Sequence, residues 1–251
     1  MGSRVFPLLA KASDEPSGGL LRDFAMRQPN SSGNTSIKAE RIFLLSPANI
    51  GGIRGSGLMS GLMQSDLGLR LRNQGAPLGE VFSFISGLYF RGKLAYSQKF
   101  AKVTDGVRPV YMITASAGLI PYETQVTLER LREVCAGEVD ITNEKYRGPL
   151  ERDANALSDR VGTGCQIVLL GSIATPKYAQ PLLDAFGERL LFPAEFVGRG
   201  DMSRGGLMLR CVSSGVELSY IPLAEATRHG ARPPKLVRPL KNAAPEPSKK
   251  G

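Results

Sequence analysis

Histidine is almost absent from this 251-residue chain, in which His229 is the single example. A Ser-His-Asp or Cys-His catalytic group would have to use His229, and a histidine-rich zinc or iron site cannot be formed. The three cysteines are odd in number and widely spaced, so they give neither a disulfide framework nor a Cys-x-x-Cys metal motif. Acid–base chemistry is left to carboxylates, and the sequence predicts no metal and no cofactor.

Long hydrophobic runs are also absent. No apolar stretch approaches the roughly 18 residues that a membrane span requires, and the apolar stretch near the N-terminus is too short for a signal peptide. Hydrophobic residues make up 42% of the chain and charged residues 22%, which is ordinary globular usage. We therefore expect a cytoplasmic protein that does not bind membranes.

The formal net charge of +9 is concentrated near the C-terminus. Residues 228–251 hold seven basic side chains and one acidic one, which leaves the body of the chain nearly neutral. This segment is rich in proline and predicts a disordered basic tail, while Pro, Asn, Ser and Gly in residues 1–40 predict a flexible leader. Basic tails attract phosphate backbones, but a purely solubilising role fits the tail equally well.

Apolar runs and helical patterns alternate along residues 41–227. This alternation predicts one α/β domain, with a mixed, largely parallel sheet flanked by helices and a C-terminal antiparallel hairpin closed by a tight Ser-Gly turn. Strands are predicted at 41–48, 81–86, 109–116, 165–172, 190–198, 206–214 and 216–223. Helices are predicted at 58–72, 88–103, 121–137, 148–162 and 175–189.

Three predicted strands end in small polar residues, at 46–49, 114–118 and 171–172. Ligands of open α/β sheets bind at the carboxyl ends of strands, where small side chains let a ligand approach the backbone. We therefore expect a ligand site there, although Ser and Gly also end strands for purely local reasons. The candidate ligand-binding residues are Ser46, Asn49, Ser116 and Gly118.

Two glycine-rich segments are candidate anion sites. Residues 51–57 contain Arg54 but match neither the phosphate-binding loop of nucleotide triphosphatases nor the dinucleotide fingerprint. Residues 198–206 are the stronger candidate, because glycine lets several backbone N–H groups converge and arginine adds a bidentate clamp. The alternative is an ordinary solvated loop. The candidate residues in this second segment are Arg199, Asp201, Ser203 and Arg204.

Aromatic and carboxylate side chains complete the candidate site. Tyr89 and Arg91 pair an aromatic ring with a cation, which suits base stacking and phosphate neutralisation; the alternative is that Arg91 and Lys93 face water. Glu123 is predicted in the first turn of a helix, where it complements the helix dipole or acts as a general base. Asp201 is the second candidate acid–base residue.

Several segments resemble, in the same order, motifs of the YaaA peroxide-stress family and of YaaA-like domains of unknown function. They are FLLSPAN, SGLYFRGKLAYSQKFA, ITASAGLIPYETQVTL, VLLGSIATPKYAQPLL and GRGDMSRGG, which together span roughly residues 41–210. The resemblance implies a mixed α/β fold and an association with DNA. Asn49 departs from the lysine of the peroxide-stress proteins, and the segment before Tyr122 is compressed. The matching positions are Ser46, Asn49, Tyr89, Arg91, Ser116, Tyr122, Arg199 and Ser203.

Three hypotheses of function follow. The first is a nucleic-acid-associated protein, with DNA as the expected partner, whose strand-end pocket holds a nucleotide or nucleobase in DNA damage or base modification. The second is an enzyme acting on a modified base or an N-glycosidic bond through Glu123 or Asp201. The third is a non-enzymatic module that docks an acidic partner through its basic tail. The sequence leaves catalysis and the oligomeric state open.

Overall fold

A six-stranded mixed sheet organises the computed structural model, which describes residues 40–103, 106–234 and 236. Its strands are β1 (Arg41–Leu45), β3 (Val110–Ile113), β4 (Leu119–Pro121), β6 (Gln166–Leu170), β7 (Leu190–Pro193) and β8 (Tyr220–Pro222). They lie in the order β4-β3-β1-β6-β7-β8; the four central strands run parallel, and β4 and β8 are antiparallel edges. A separate two-stranded ribbon pairs β2 (Ala76–Pro77) with β5 (Gln125–Val126).

Helices connect these strands. They are α1 (Ile53–Ser60), α2 (Asp66–Asn73), α3 (Leu78–Ser86), α4 (Leu88–Phe100), α5 (Leu128–Val134), α6 (Glu144–Arg160), α7 (Pro176–Phe186) and α8 (Asp201–Ser214). The most extensive helix packing joins α4 to α8, and α6 packs against α7. Residues 42–45 of β1 have no exposed surface, so both faces of the sheet are covered. Among the described residues, no helix is long and apolar enough to cross a lipid bilayer.

The strand order creates a switch point between β1 and β6. After β1 the chain moves to β3 on one side of the sheet, whereas after β6 it moves to β7 on the other side. The connections leaving these two adjacent strands therefore diverge, which opens a crevice beyond their carboxyl ends. The predicted α/β class, the largely parallel sheet and the C-terminal antiparallel pair are confirmed.

Two predicted strands are helices, and those predictions were wrong. Residues 81–86 belong to α3, where Val81, Phe82 and Ile85 are buried at helical spacing. Residues 206–214 belong to α8, which buries Met208 and Cys211 at a spacing of three. The C-terminal antiparallel pair is therefore formed by β7 and β8 with α8 between them, rather than by two strands joined through a tight turn.

Two predicted helices were too long. The helix predicted at 121–137 begins only at Leu128, because Thr127 caps it by accepting a hydrogen bond from the Arg130 N–H. The preceding residues form the end of β4, a turn and β5. The helix predicted at 58–72 is divided by Gly61, whose positive φ of 74° ends α1. The predicted leader, apart from Glu40, lies outside the described residues, as do Lys235 and residues 237–251 of the predicted tail.

The crossing of α4 and α8 depends on two glycines that let the backbones touch. A Cβ on Gly92 would lie 2.8 Å from the Gly205 carbonyl oxygen, and one on Gly205 would lie 2.9 Å from the Leu88 oxygen and the Tyr89 Cα. Contacts this short are not tolerated by real Cβ atoms, so both positions require glycine. The crossing holds the start of α8 against the first two turns of α4.

We expect Gly205→Ala to lower the free energy of unfolding by about 1–3 kcal/mol, because the new methyl group overpacks the helix crossing. The matched control is Gly206→Ala, one position along the same helix, where a Cβ would meet only Leu236 at 3.8 Å. There the higher helix propensity of alanine should raise stability by about 0.5–1 kcal/mol. Urea unfolding measures both, and equal effects of the two substitutions would contradict the described crossing.

Candidate functional site

A buried lysine occupies the carboxyl end of β1. The ammonium or amine of Lys93, on α4, donates hydrogen bonds to the Ser46 carbonyl oxygen at 2.5 Å and to Ser46 Oγ at 2.9 Å. Lys93 is 1% exposed and Ser46 5%. The Lys93 Nζ also lies 4.7 Å and 4.6 Å from the ring centres of Tyr89 and Phe90. The suggestion that Lys93 faces water is therefore wrong.

The surroundings of Lys93 stabilise its positively charged form only weakly. Burial lowers the pKa of Lys93 from 10.5 to about 7, with Asp201 acting in the opposite direction and Arg204 reinforcing the shift. Among the described residues, no carboxylate lies within ion-pair distance of its nitrogen. The side chain therefore exchanges between ammonium and neutral amine near neutral pH.

Arg204 sits in the first turn of α8 and is firmly held. Its Nε and one terminal nitrogen donate to the Phe196 carbonyl oxygen at 3.2 and 2.9 Å, and the other donates to the Gly171 oxygen at 3.3 Å. The guanidinium also lies over the Phe196 ring, 5.2 Å from its centre. Because Gly171 follows β6, these contacts hold the Arg204 cation at the switch point. Only 11% of the Arg204 side chain is exposed.

The hydroxyl of Tyr89 is buried and makes no hydrogen bond of normal geometry among the described residues; Arg204 interacts with it only weakly, through its charge and a poorly formed hydrogen bond. Burial raises the pKa of Tyr89 to about 12, and burial also raises the pKa of Tyr178, on which Tyr89 and Asp201 act electrostatically. Unpaired buried hydroxyls are rare in proteins and point to a functional role. We call Ser46, Tyr89, Lys93, Tyr178, Asp201 and Arg204 the strand-end cluster.

A cleft of about 260 Å³ opens on the same edge of the sheet. It is bounded by the loop after β1, by Ala115 after β3, by Phe82 of α3 and by the first turn of α7, which contributes Lys177 and Tyr178. Its surface is more apolar than polar, and Tyr178 belongs to both the cleft and the strand-end cluster. We call it the strand-end cleft.

Of the predicted ligand-binding residues, Ser46, Tyr89 and Arg204 come together in the strand-end cluster, and the predicted acid–base residue Asp201 joins them. Asn49 lines the cleft, where its Oδ1 accepts a hydrogen bond from the Gly51 N–H at 3.0 Å. The sequence indicated Ser46 and Asn49 as strand ends, Tyr89 as an aromatic residue beside cations, and Asp201 and Arg204 as members of a glycine-rich segment. It missed Lys93, Tyr178 and Lys177, whose helical patterns resemble ordinary amphipathic surfaces.

Ser116 and Gly118 serve local structure at the end of β3. Ser116 donates to the Glu133 carbonyl oxygen at 2.6 Å. Gly118 has a positive φ of 64°, and a Cβ there would lie 2.1 Å from Asp153 Oδ2. Asp153 accepts the Leu119 N–H at 3.0 Å. Glycine is therefore required for the turn and for packing against α6.

Tyr122 and Glu123 lie at the other end of the strands, away from the carboxyl ends of the parallel strands. Because β4 runs antiparallel to β3, its end returns to the beginning of β3, where the Tyr122 N–H bonds the Val110 oxygen. Glu123 occupies a turn and pairs with Arg108 at 3.0 Å. The prediction that it begins a helix was wrong, and the geometry separates it from the strand-end cluster.

The remaining predicted residues line two other grooves. Arg54 and Arg91 border a groove beside α2 and α3, in which Arg54 donates to the Phe84 oxygen at 3.3 Å. Arg199 and Ser203 bond each other at 3.3 Å in a groove of about 650 Å³ at the start of α8. We call the second one the arginine groove; its basic members are Arg199, Arg210 and Arg232.

The arginine groove adjoins the strand-end cluster through Asp201. This residue lines the groove and also acts electrostatically on Lys93, Tyr89 and Tyr178. Within the part of the chain that the structure describes, no group of three or more His, Cys, Asp or Glu side chains could hold a metal ion.

The chain matches no protein-family model, no curated protein and no solved structure in comparisons with known proteins.

The depressed pKa of Lys93 makes stability depend on pH. The unfolded chain binds the lysine proton up to about pH 10.5 and the folded protein only up to about pH 7, so this group raises the free energy of unfolding as pH increases between these values. We expect the difference in free energy of unfolding between the wild type and Lys93→Met to shift in favour of the wild type as pH rises. The shift should be up to about 1.4 kcal/mol per pH unit between pH 7.5 and 9.5.

Urea unfolding at a series of pH values measures this difference. Lys99→Met removes an exposed lysine from the same helix, and its difference from wild type should stay constant. A pH-independent difference for Lys93→Met as well would mean that the Lys93 side chain is solvated.

The unpartnered hydroxyl of Tyr89 costs stability. We expect Tyr89→Phe to raise the free energy of unfolding by about 1 kcal/mol, because it removes a buried polar group without breaking a hydrogen bond. Tyr146→Phe is the matched control, since the Tyr146 hydroxyl donates to the Lys177 carbonyl oxygen at 2.8 Å. It should lower stability by about the same amount, as measured by thermal unfolding. Destabilisation by Tyr89→Phe would show that this hydroxyl is bonded.

Proposed function

We propose that the protein binds a nucleobase or nucleotide in the strand-end cleft. The observation that carries the proposal is the position of an aromatic-lined cleft at the carboxyl edge of a doubly wound sheet, beside its switch point. Ligands of open α/β sheets bind at this place. Apolar walls with a few polar groups are the usual composition of small-molecule sites.

The size and lining of the cleft favour a single ring system. Its volume of about 260 Å³ lies just below the roughly 300–1,000 Å³ of sites for drug-sized ligands. Phe82 and Tyr178, which are 1% and 6% exposed, form part of the cleft wall, and such aromatic walls suit an apolar ring system. Lys177, with its Nζ 5.1 Å from the centre of the Tyr178 ring, supplies a cation at the rim.

The arginine groove and Lys177 are the proposed binding positions for the phosphate groups of the nucleotide. Arg199 is oriented by the Glu195 oxygen at 2.9 Å and by Ser203, while Arg210 and Arg232 face the same groove. Arginine is well suited to bidentate phosphate contacts. A polynucleotide could then place one base in the cleft and its backbone along the groove, in keeping with the DNA association that the YaaA-like motifs imply.

The two other hypotheses have less support. An enzyme acting on a modified base would rely on Asp201, whose side chain is 65% exposed, because Glu123 lies at the other end of the strands. Docking through the basic tail depends largely on residues outside the described part of the chain. Base binding in DNA damage or modification therefore stays the first proposal.

We expect nucleotides to raise the melting temperature of the protein. At a concentration 100 times Kd, a ligand stabilises the folded state by about 2.7 kcal/mol, which corresponds to roughly 5–10 °C for a domain of this size. Differential scanning fluorimetry with adenosine, cytidine, their 5′-monophosphates and inorganic phosphate tests this. Lys177→Ala should weaken the response to the monophosphates more than the response to the nucleosides.

Val139→Trp provides the blocking variant, because Val139 is half-buried and lines the cleft. It should abolish the nucleoside response, whereas Val216→Trp, at an exposed position, should leave it intact. A nucleoside response that survives Val139→Trp, or a response to inorganic phosphate alone, would refute base binding in this cleft.

A further inference from the structure

The pairing of Ser46 with Lys93 suggests chemistry beyond ligand binding. A serine hydroxyl is a weak nucleophile until a neighbouring base removes its proton. The Ser46 Oγ lies 2.9 Å from the Lys93 Nζ, within proton-transfer distance. A second hydrogen bond, from the same nitrogen to the Ser46 carbonyl oxygen, fixes the orientation of the pair.

The surroundings of Lys93 allow it to act as a base. The groups that face it are Tyr89 and Phe90 on its own helix, Ser46 at the end of β1, and Asp201 and Arg204 on α8. The nitrogen makes no ion pair with the described carboxylates, so the ammonium form is not locked in place. In the neutral form the nitrogen lone pair can accept the Ser46 proton while an amine hydrogen still bonds the carbonyl oxygen.

A glycine and a positively charged side chain lie on the Gly171 side of Ser46. Gly171 packs directly against the serine: a Cβ there would lie 3.0 Å from Ser46 Cβ and 3.2 Å from its Oγ, so any side chain at this position would crowd the hydroxyl. Arg204 bonds the Gly171 oxygen at 3.3 Å, and its guanidinium also lies near the Asp201 carboxylate at 4.0 Å. A cation held on this side of the nucleophile can stabilise a developing oxyanion.

We propose that Ser46 is a nucleophile activated by Lys93 and that this site hydrolyses a carboxylic ester. In this reaction Ser46 Oγ attacks the carbonyl carbon while its proton passes to the Lys93 amine. The carbon–oxygen bond to the leaving alcohol then breaks as Lys93 returns the proton to that oxygen. Water, deprotonated by Lys93, attacks the acyl-serine, and the returning proton restores the Ser46 hydroxyl and releases the acid.

A fluorophosphonate probe tests the nucleophile without any knowledge of the natural substrate. Ser46 Oγ bonds to phosphorus, fluoride leaves with the bonding electrons, and Lys93 takes the hydroxyl proton. Mass spectrometry of the full-length wild-type protein should find the adduct on Ser46. The rate of labelling should rise with pH to a plateau, with a midpoint near 7 set by the Lys93 amine.

Variants separate activation from folding. Lys93→Met should slow labelling by about 100-fold or more, the usual contribution of a general base, and Ser46→Ala should abolish it. Ser97→Ala changes another buried serine, on the same helix as Lys93, and should label at the wild-type rate. Melting curves of each variant check that it is folded.

The labelling experiment tests the Ser46 nucleophile independently of nucleotide binding. Absence of a Ser46 adduct on the folded wild-type protein, or labelling whose rate does not depend on Lys93, overturns the nucleophile; the thermal response to nucleosides then still decides the proposed function. Labelling of Ser46 supports the nucleophile whether or not nucleotides bind. If adenosine monophosphate also slows that labelling, the base-binding cleft and the nucleophile form one site.

Discussion

The burial of the Lys93 side chain is the constraint on which the candidate site depends. Removing an ammonium group from water costs several kcal/mol unless the charge is compensated or lost. Here two hydrogen bonds to Ser46 and two aromatic ring faces replace water, and no described carboxylate completes an ion pair. The protein therefore holds an amine close to its neutral form at the end of a central strand, an arrangement typical of functional sites.

Two features of the fold, a helix contact and a switch in strand order, place this amine in the site. The glycine contact between α4 and α8 brings Tyr89 and Lys93 of one helix to Arg204 of the other. The switch in strand order then presents Ser46 and Gly171, at the ends of two adjacent parallel strands, to the same cluster. Backbone packing at one side of the molecule thus determines the chemistry at the carboxyl edge.

The central strands and part of the site could be predicted from sequence, because β1, β3 and β6 are short, largely apolar runs and Ser46 follows one of them. Lys93 could not, since a lysine within a helical pattern normally faces water, and its burial depends on contacts with residues remote in sequence, such as Ser46. Glu123 was misplaced because local pattern does not reveal that β4 reverses direction. The apolar composition of the stretch 206–214 predicts a strand, although its buried positions recur at helical spacing.

A crystal structure of the protein grown with saturating adenosine monophosphate tests most directly whether the strand-end cleft is the functional site. We predict the adenine ring in the cleft against Phe82 and Tyr178, with the phosphate directed to Lys177 or to the arginine groove. A nucleotide bound in the groove beside Arg54 and Arg91, or an empty strand-end cleft at saturating ligand, would contradict the account.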